Sequence, residues 1–188
     1  MSSSEPDERR TAIVRAVWQV IAESGMGAVS MRNVASAAGV SVGRIQYWFS
    51  SKDELLRESL RAMLAGAGHI HAAASVSTDD RETLWLLLAQ PIPHAQEPAV
   101  GVSVFHQYVA AAVNHPALAR MLAEAKDRAE NEASSLLGRI APDLRDPRTA
   151  ARSLIATADG LAMRVLIGSL SATEAERTLR AELDRVAA

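Results

Sequence analysis

The sequence predicts an all-α fold of about nine helices, because apolar residues recur with the period of an α-helix along nearly the whole chain. No stretch alternates apolar and polar residues as a half-buried strand does, and no two-residue hairpin turn separates two apolar runs. The 188 residues, 48% of them hydrophobic, suffice for one small and one larger domain.

Composition excludes several classes of protein. Cysteine is absent, which excludes disulfides and thiolate metal sites and fits a reducing compartment. The apolar runs are much shorter than the roughly 18 residues that cross a bilayer, and residues 1–10 lack the apolar core of a signal peptide. We therefore expect a soluble, cytoplasmic protein with no membrane partner.

The charge is small and unevenly distributed. The net charge of −2 argues against indiscriminate nucleic-acid binding, which depends on many Lys and Arg residues. Residues 1–66 hold 8 basic against 7 acidic residues, whereas residues 67–188 hold 12 against 15. This distribution would suit a small DNA-contacting face on an otherwise neutral body.

The first helix is predicted over about residues 7–23 from an apolar stripe, and Gly25 and Gly27 end it. Two short amphipathic segments then meet at Gly39. In the first segment, Met31, Val34, Ala35 and Ala38 stand at offsets 0, 3, 4 and 7, which is one buried face of a helix. The glycine can adopt a positive φ, so the chain can reverse direction there.

The second segment is a candidate recognition helix. Ser41 is placed to cap its N-terminus, and Ile45, Trp48 and Phe49 form its inward stripe. Its outer face is formed by Val42, Gly43, Arg44, Gln46 and Tyr47. Two helices joined in this way, with small residues at the start of the second, are typical of a helix-turn-helix DNA reader.

Later helices follow from capping and proline signals. Two pairs have capping-box spacing at a helix start, namely Ser51 with Glu54 and Ser171 with Glu174. The later helices cover roughly residues 51–67, 80–90, 98–113, 116–140, 147–170 and 171–186, with a loop over 72–80.

The motif from Ser30 to Leu56 resembles the TetR family of bacterial transcriptional regulators almost position by position. The matching residues are Ser30, Val34-Ala35, Ala38-Gly39-Val40-Ser41, the aromatic pair and residues 49–56. The resemblance implies a three-helix DNA-binding domain over residues 1–50. It implies a larger helical effector-binding and dimerisation domain over 51–188, in which 51–67 is the connecting helix. Asn114-His115-Pro116 and Ala158-Asp159-Gly160-Leu161 are similar to regulators of the choline-responsive repressor type.

The resemblance also implies roles at the DNA. Tyr47 and Lys52 match phosphate-contacting positions, although Tyr47 could instead only pack. Gln46 departs from the family pattern, which has a tyrosine there, and its amide could instead bond adenine. The predicted DNA-binding residues are Ser30, Arg32, Ser41, Val42, Gly43, Arg44, Gln46, Tyr47 and Lys52.

Several of these residues have a plainer interpretation. Arg44 could read guanine with its two-pronged donor geometry, contact a phosphate, or be a solvated side chain. Gly43 either allows close approach to DNA or is simply tolerated at an exposed helix start. Ser30 and Arg32 could hold a phosphate at a helix N-terminus, or be an ordinary cap and a surface charge.

An effector cavity, if present, should lie among helices with large apolar and a few polar groups. The candidates are Trp85, Phe105, Gln107, Tyr108, Asp159 and Met163. Most of them are expected to be ordinary core or surface, and Asp159 is equally a structural carboxylate or a pocket residue. A metal site is not expected, since His69 and His71 face opposite sides of a helix. No catalytic residues and no cofactor are predicted.

Together these features predict a homodimeric DNA-binding regulator, in particular a repressor, on a palindromic double-stranded operator, with a small-molecule effector of unknown identity. The last two helices should pair across a two-fold axis through Leu154, Leu161, Val165, Leu166, Leu179 and Leu183. In the dimer the two recognition helices would lie about 34–36 Å apart or slightly more, which is one turn of DNA. The alternatives are an all-α small-molecule binding protein or enzyme with a vestigial helix-turn-helix, and a protein-binding helical module.

Overall fold

The protein is described from a computed structural model that covers residues 4–74 and 79–187; the side chains of residues 4–7, 69–74 and 96–98 are not described. Over these ranges the chain forms nine α-helices, one 3₁₀ turn at Met26–Ala28 and no strand, which confirms the predicted all-α class. The helices are α1 (Ser4–Ser24), α2 (Met31–Ala37), α3 (Val42–Trp48), α4 (Lys52–Ala74), α5 (Asp80–Ala89), α6 (Gln96–Ala112), α7 (Pro116–Ile140), α8 (Pro147–Leu166) and α9 (Ala172–Val186).

Two predicted boundaries are wrong. Helix α4 continues to Ala74, so the loop expected from residue 72 does not begin there. Residues 72–74 are all alanine, the strongest helix former, and nothing in them ends a helix. Residues 75–78 of that expected loop lie outside the described residues. Helix α8 ends at Leu166 instead of near residue 170, because Gly168 takes a φ of 72° and its N–H donates to the carbonyl of Val165.

One of the two predicted capping boxes is complete. Ser171 accepts from the N–H of Glu174 at the start of α9, and the Glu174 carboxylate accepts from the N–H of Ser171. At the start of α4, Ser51 accepts from the N–H of Glu54, but the Glu54 carboxylate instead accepts from the N–H of Ser50. The Glu54 carboxylate therefore bonds Ser50, the residue before the N-cap, and not the N-cap residue Ser51 itself.

The first of two compact units consists of Met1–Gly66 and Ser103–Leu122. Its core combines the apolar stripes of α1, α2, α3 and the first half of α4 with residues of α6 and of the first turns of α7. Its fully buried residues include Val17, Ile21, Val34, Ile45, Phe49, Leu55, Leu60, Tyr108 and Leu118. The first unit therefore contains 20 residues beyond the helix-turn-helix and the start of α4.

The second unit consists of Ala67–Val102 and Ala123–Ala188. Its core combines α5, part of α7, α8 and α9. Leu154, Leu161, Leu179 and Leu183 are at most 8% exposed within this core. The expectation that these four leucines pair with a second copy is therefore wrong, because they already pack inside their own chain.

None of the described helices combines the length and the hydropathy that a membrane span requires.

Candidate nucleic-acid interface

Helix α2 starts at a capped, exposed N-terminus. Ser30 adopts extended backbone angles and its Oγ atom accepts from the N–H of Asn33 at 3.1 Å. The Asn33 side chain in turn donates to the carbonyl of Ala28 at 2.7 Å, which fixes the preceding 3₁₀ turn against α2. Because a serine hydroxyl keeps its own hydrogen while it accepts, Ser30 can still donate to a phosphate. Arg32 is exposed in the same first turn.

The turn between α2 and α3 has the predicted chemistry. Gly39 has a φ of 65°, and the N–H of Val40 donates to the carbonyl of Ala35 at 3.0 Å. The Oγ atom of Ser41 accepts from the N–H of Arg44 at 3.2 Å and so caps α3. These contacts confirm that the glycine reverses the chain and that the serine starts the second helix.

Helix α3 divides into a buried and an exposed face as predicted. Ile45 and Phe49 are fully buried, and Trp48 is half-buried. The exposed residues are Val42, Gly43, Arg44, Gln46 and Tyr47. Tyr47 is 77% exposed and its ring meets that of Trp48 edge to face at 5.2 Å. Gly43, Arg44 and Tyr47 line an open depression of about 270 Å³.

Some basic residues of the first unit are paired with carboxylates and others are not. Arg10 and Arg61 pair with Glu58, and Arg57 pairs with Asp53. In contrast, Arg32, Arg44 and Lys52 form no ion pair with any residue that the structure describes. These three cations all lie in the helix-turn-helix or directly after it. Unneutralised cations on an exposed face are what phosphate binding requires.

The start of α4 brings together charges of both signs. The Ser50 hydroxyl and amide donate to Glu54 and hold the pKa of that carboxyl below its usual value. Asp53 accepts from Arg57 at 2.8 Å and lies 2.7 Å from Nε2 of His115. Both carboxylates are thus engaged within the unit, which leaves the neighbouring Lys52 as the uncompensated charge at this helix end.

Three of the six effector candidates belong to the first unit, namely Phe105, Gln107 and Tyr108. Phe105 is half-buried against the core. Both ends of the Gln107 amide bond backbone atoms near the end of α1. Tyr108 is fully buried, its hydroxyl oxygen lies 2.5 Å from Oγ of Ser59, and burial raises its pKa to about 12. The polar groups of Gln107 and Tyr108 are therefore occupied by intramolecular contacts.

The other three candidates, Trp85, Asp159 and Met163, belong to the second unit. Trp85 is 7% exposed, and the Arg180 guanidinium lies 3.8 Å from its ring centroid. Asp159 accepts from Nζ of Lys126 through both oxygens, at 2.7 and 2.6 Å. Met163 is 42% exposed. The six candidates are thus divided between the two compact units.

Within the described ranges, no group of three or more His, Asp or Glu side chains could hold a metal ion. The side chains of His69 and His71 lie outside those ranges.

Sequence analysis missed Ser59, which connects three helices of the first unit. Its carbonyl accepts from the indole of Trp18 in α1 at 3.2 Å, and its hydroxyl bonds Tyr108 of α6. Ser59 is fully buried beside Leu60. A polar residue within the apolar stripe of a predicted helix was the available signal, since buried hydroxyls require partners.

Comparison with known proteins agrees with this geometry. The family model for bacterial regulatory proteins of the tetR family matches residues 13–59, and the model for the C-terminal part of BetI-type transcriptional repressors matches residues 80–188. A helix-turn-helix with exposed cations that form no ion pair, joined to a helical second unit, is the architecture of a DNA-binding regulator. The chain belongs to the TetR family of transcriptional regulators, with a C-terminal part of the BetI type.

One relative matches nearly the whole chain and another matches less than a third of it. The transcriptional regulator BetI of Stenotrophomonas maltophilia is 29% identical over 174 residues, which cover 91% of this chain and 88% of that protein. The regulator PksA of Bacillus subtilis is 44% identical over 55 residues, covering 29% of this chain and 27% of PksA.

Solved structures are similar over a comparable length. A putative TetR-family regulator from Rhodococcus sp. has a TM-score of 0.87 at 27% identity, covering 96% of this chain and all of that one. A putative regulator from Saccharomonospora viridis in complex with choline has a TM-score of 0.83 at 26% identity, covering 95% and 96%. These relatives are regulators, so the alternative of an all-α enzyme is set aside: the protein regulates transcription through DNA.

Proposed function

We propose that this regulator is a cytoplasmic, ligand-responsive repressor that binds a palindromic operator as a homodimer. The observation that carries the DNA-binding part is the set of unpaired cations, Arg32, Arg44 and Lys52, on the exposed side of a helix-turn-helix. Arg10, Arg57 and Arg61 of the same unit are paired with carboxylates, whereas these three cations remain available to neutralise phosphates.

Within this interface the residues divide by role. Arg44 projects from the exposed face of α3 and is the proposed base reader, and Gln46 is a second candidate for a base edge. Tyr47 and Lys52 are proposed phosphate contacts, as are Ser30 and Arg32 at the start of α2. Ser41, Val42 and Gly43 form the start of α3, where small side chains allow the helix to approach the groove.

The homodimer is proposed to use the exposed stripe of α8, since four of the five predicted leucines are buried. Its residues are Ala156, Gly160 and Met163 of α8 and the C-cap residue Ile167, which is 69% exposed. Apolar side chains exposed on a helix beside small residues suit close packing against a second copy. An isologous dimer of this kind presents two readers to two half-sites.

Release from DNA is proposed to follow the binding of a small organic effector by the second unit. The S. viridis regulator contains choline, which supports a small organic ligand for this architecture. Of the six candidates, Trp85, Asp159 and Met163 remain in the second unit. An effector releases the protein from DNA only if it binds the conformation that cannot bind DNA more tightly than the conformation that can.

A gel-shift experiment tests the proposal. Purified full-length protein should retard a fragment of the intergenic DNA upstream of its own gene at moderate salt, but not a shuffled fragment of equal composition. Tyr47→Phe should weaken the shift, because it removes an exposed hydroxyl and no buried group. Equal retardation of both fragments, with Tyr47→Phe and Arg44→Ala unchanged from wild type, would contradict the proposal.

A further inference from the structure

Gln107 makes a two-sided contact with the end of α1. Its Oε1 atom accepts from the N–H of Met26 at 2.9 Å, and its Nε2 atom donates to the carbonyl of Ile21 at 3.2 Å. One contact requires an acceptor and the other a donor, so the amide orientation is determined by its surroundings. The carbonyl of Ile21, in the last turn of α1, also accepts from the N–H of Gly25. It therefore has two donors, one from the backbone and one from the Gln107 side chain.

The backbone that Gln107 contacts leads directly into α2, the helix that carries the proposed phosphate contacts. Gly25 turns the chain with a φ of 80°, and a Cβ atom there would lie 3.6 Å from Oε1 of Gln107. The 3₁₀ turn that follows is held at its far end by Asn33, which donates to Ala28. The connection between α1 and α2 is thus fixed by Gln107 at one end and by α2 itself at the other.

Ser30 and Arg32, the proposed phosphate contacts of α2, are at the far end of this connection. A phosphate contact depends on placing a donor to within a fraction of an ångström, so a loosened connection should weaken it. Two further contacts hold the segment Ser103–Leu122 to the first unit independently: Tyr108 to Ser59, and His115 to Asp53. This segment therefore has the anchoring that a fixed support for the connection needs.

We propose that Gln107 is a positioning residue for operator binding: it holds the α1–α2 connection so that Ser30 and Arg32 meet the DNA backbone. It touches no DNA itself. This role rests on the proposed function, and it assigns to Gln107 a task in the DNA reader and not in an effector pocket. Removing its hydrogen bonds should remove the phosphate contact that Arg32 makes.

The test is a double-variant cycle on operator affinity, measured by fluorescence anisotropy over a series of salt concentrations. Gln107→Met keeps the length of the side chain and removes both hydrogen bonds. We expect it to weaken operator binding about tenfold and to flatten the slope of log K against log salt by about one, which is the loss of one phosphate contact. Arg32→Ala should do the same, and the loss in the double variant should be smaller than the sum of the two single losses.

Gln90→Met is the matched control. It also removes a hydrogen bond from a glutamine Nε2 atom to a backbone carbonyl, here Ala67 in the second unit at 2.9 Å. We expect operator affinity and salt slope as in wild type. Gln107→Glu is the second variant should Gln107→Met fail to fold. Its carboxylate still accepts from Met26, but its other oxygen would face the Ile21 carbonyl and repel it, so operator affinity and salt slope should fall at least as far as in Gln107→Met.

The cycle separates the possible outcomes. Additive losses from Gln107→Met and Arg32→Ala, or an unchanged salt slope, would overturn the positioning role, because a general loss of stability removes no particular phosphate contact. If wild type binds no operator, the proposed function fails. Hydrogen exchange then still tests the hydrogen bond between Met26 and Gln107. The Met26 amide should exchange faster in Gln107→Met than in wild type, and an equal rate overturns the inference.

Discussion

The phenolic oxygen of Tyr108 lies 2.5 Å from the Oγ atom of Ser59, and both residues are fully buried. Ser59 also donates to the carbonyl of Leu56 at 3.0 Å, so the tyrosine is the donor in the shared hydrogen bond. Trp18 donates to the backbone carbonyl of the same serine. One buried residue of α4 thus joins α1 and α6 within the first unit.

Replacing Tyr108 by phenylalanine tests this contact. The ring remains and the hydrogen bond is lost, so we expect Tyr108→Phe to lower the free energy of unfolding by about 1 kcal/mol. Tyr47→Phe is the control, because Tyr47 is 77% exposed and should leave the stability unchanged. Urea denaturation followed by circular dichroism measures both. Equal stabilities of the two variants would show that the buried bond contributes nothing.

Tyr108 should also make the fold sensitive to alkali. Burial raises its pKa from 10.0 to about 12, so the folded state favours the neutral phenol. The contribution to stability is complete below about pH 10 and is lost as the pH rises towards 12. Ultraviolet titration of phenolate in wild type and Tyr108→Phe isolates the group. A difference spectrum with a midpoint near 10 would contradict the prediction.

The turn glycine at position 39 is predicted to matter through its backbone. Gly39 has a φ of 65°, although nothing lies within 4 Å of a Cβ atom built there. Gly39→Ala should therefore cost about 1 kcal/mol of stability from backbone strain alone. Gly27→Ala is the control, since Gly27 has equal space and no positive φ. Thermal melting compares them, and an equally stable Gly39→Ala would contradict the assignment of the turn.

Dimerisation and folding should respond to different residues of α8. Leu154 is 2% exposed in the core of the second unit, so Leu154→Ala should cost about 2–5 kcal/mol of folding stability. Ile167 is 69% exposed, so Ile167→Glu should weaken the dimer and leave the protomer folded. Light scattering after gel filtration measures the mass. A dimeric Ile167→Glu protein would exclude this stripe as the interface.

Quaternary ammonium ions are expected to bind poorly. Such ions are held by aromatic faces, and Trp85 is the only Phe, Trp or Tyr in residues 67–102 and 123–188. Arg180 already covers its ring, and Lys126 neutralises Asp159. Millimolar choline should therefore leave the melting temperature of wild type unchanged. A concentration-dependent rise would show that the ion displaces these internal cations.

Much of the DNA-binding unit was predictable because its signals are local. The glycine turn, the serine caps and the buried stripe of α3 depend on residues three or four positions apart, and they lie where periodicity places them. The placement of Gln107 and Tyr108 was not predictable in this way. Helical period shows that one face of α6 is buried, but not which helices cover it.

The leucines of α8 and α9 illustrate the same limit. Their spacing correctly predicts a buried stripe, and Leu154 and Leu179 are indeed buried. A stripe that packs inside its own chain and one that packs against a second copy have the same pattern, because both exclude water. The two differ only in the folded chain, where the apolar residues of α8 that remain exposed can be identified.

The affinity of Arg44→Ala for the operator and for a panel of single base-pair changes measures most directly whether the exposed face of α3 reads DNA. We predict a loss of about 1–3 kcal/mol on the operator, with discrimination relaxed at the base pair that Arg44 contacts. Arg57→Ala, which removes a cation already paired with Asp53, should discriminate as wild type does. If Arg44→Ala keeps wild-type affinity and wild-type preference at every position, Arg44 is not the reader and the account is contradicted.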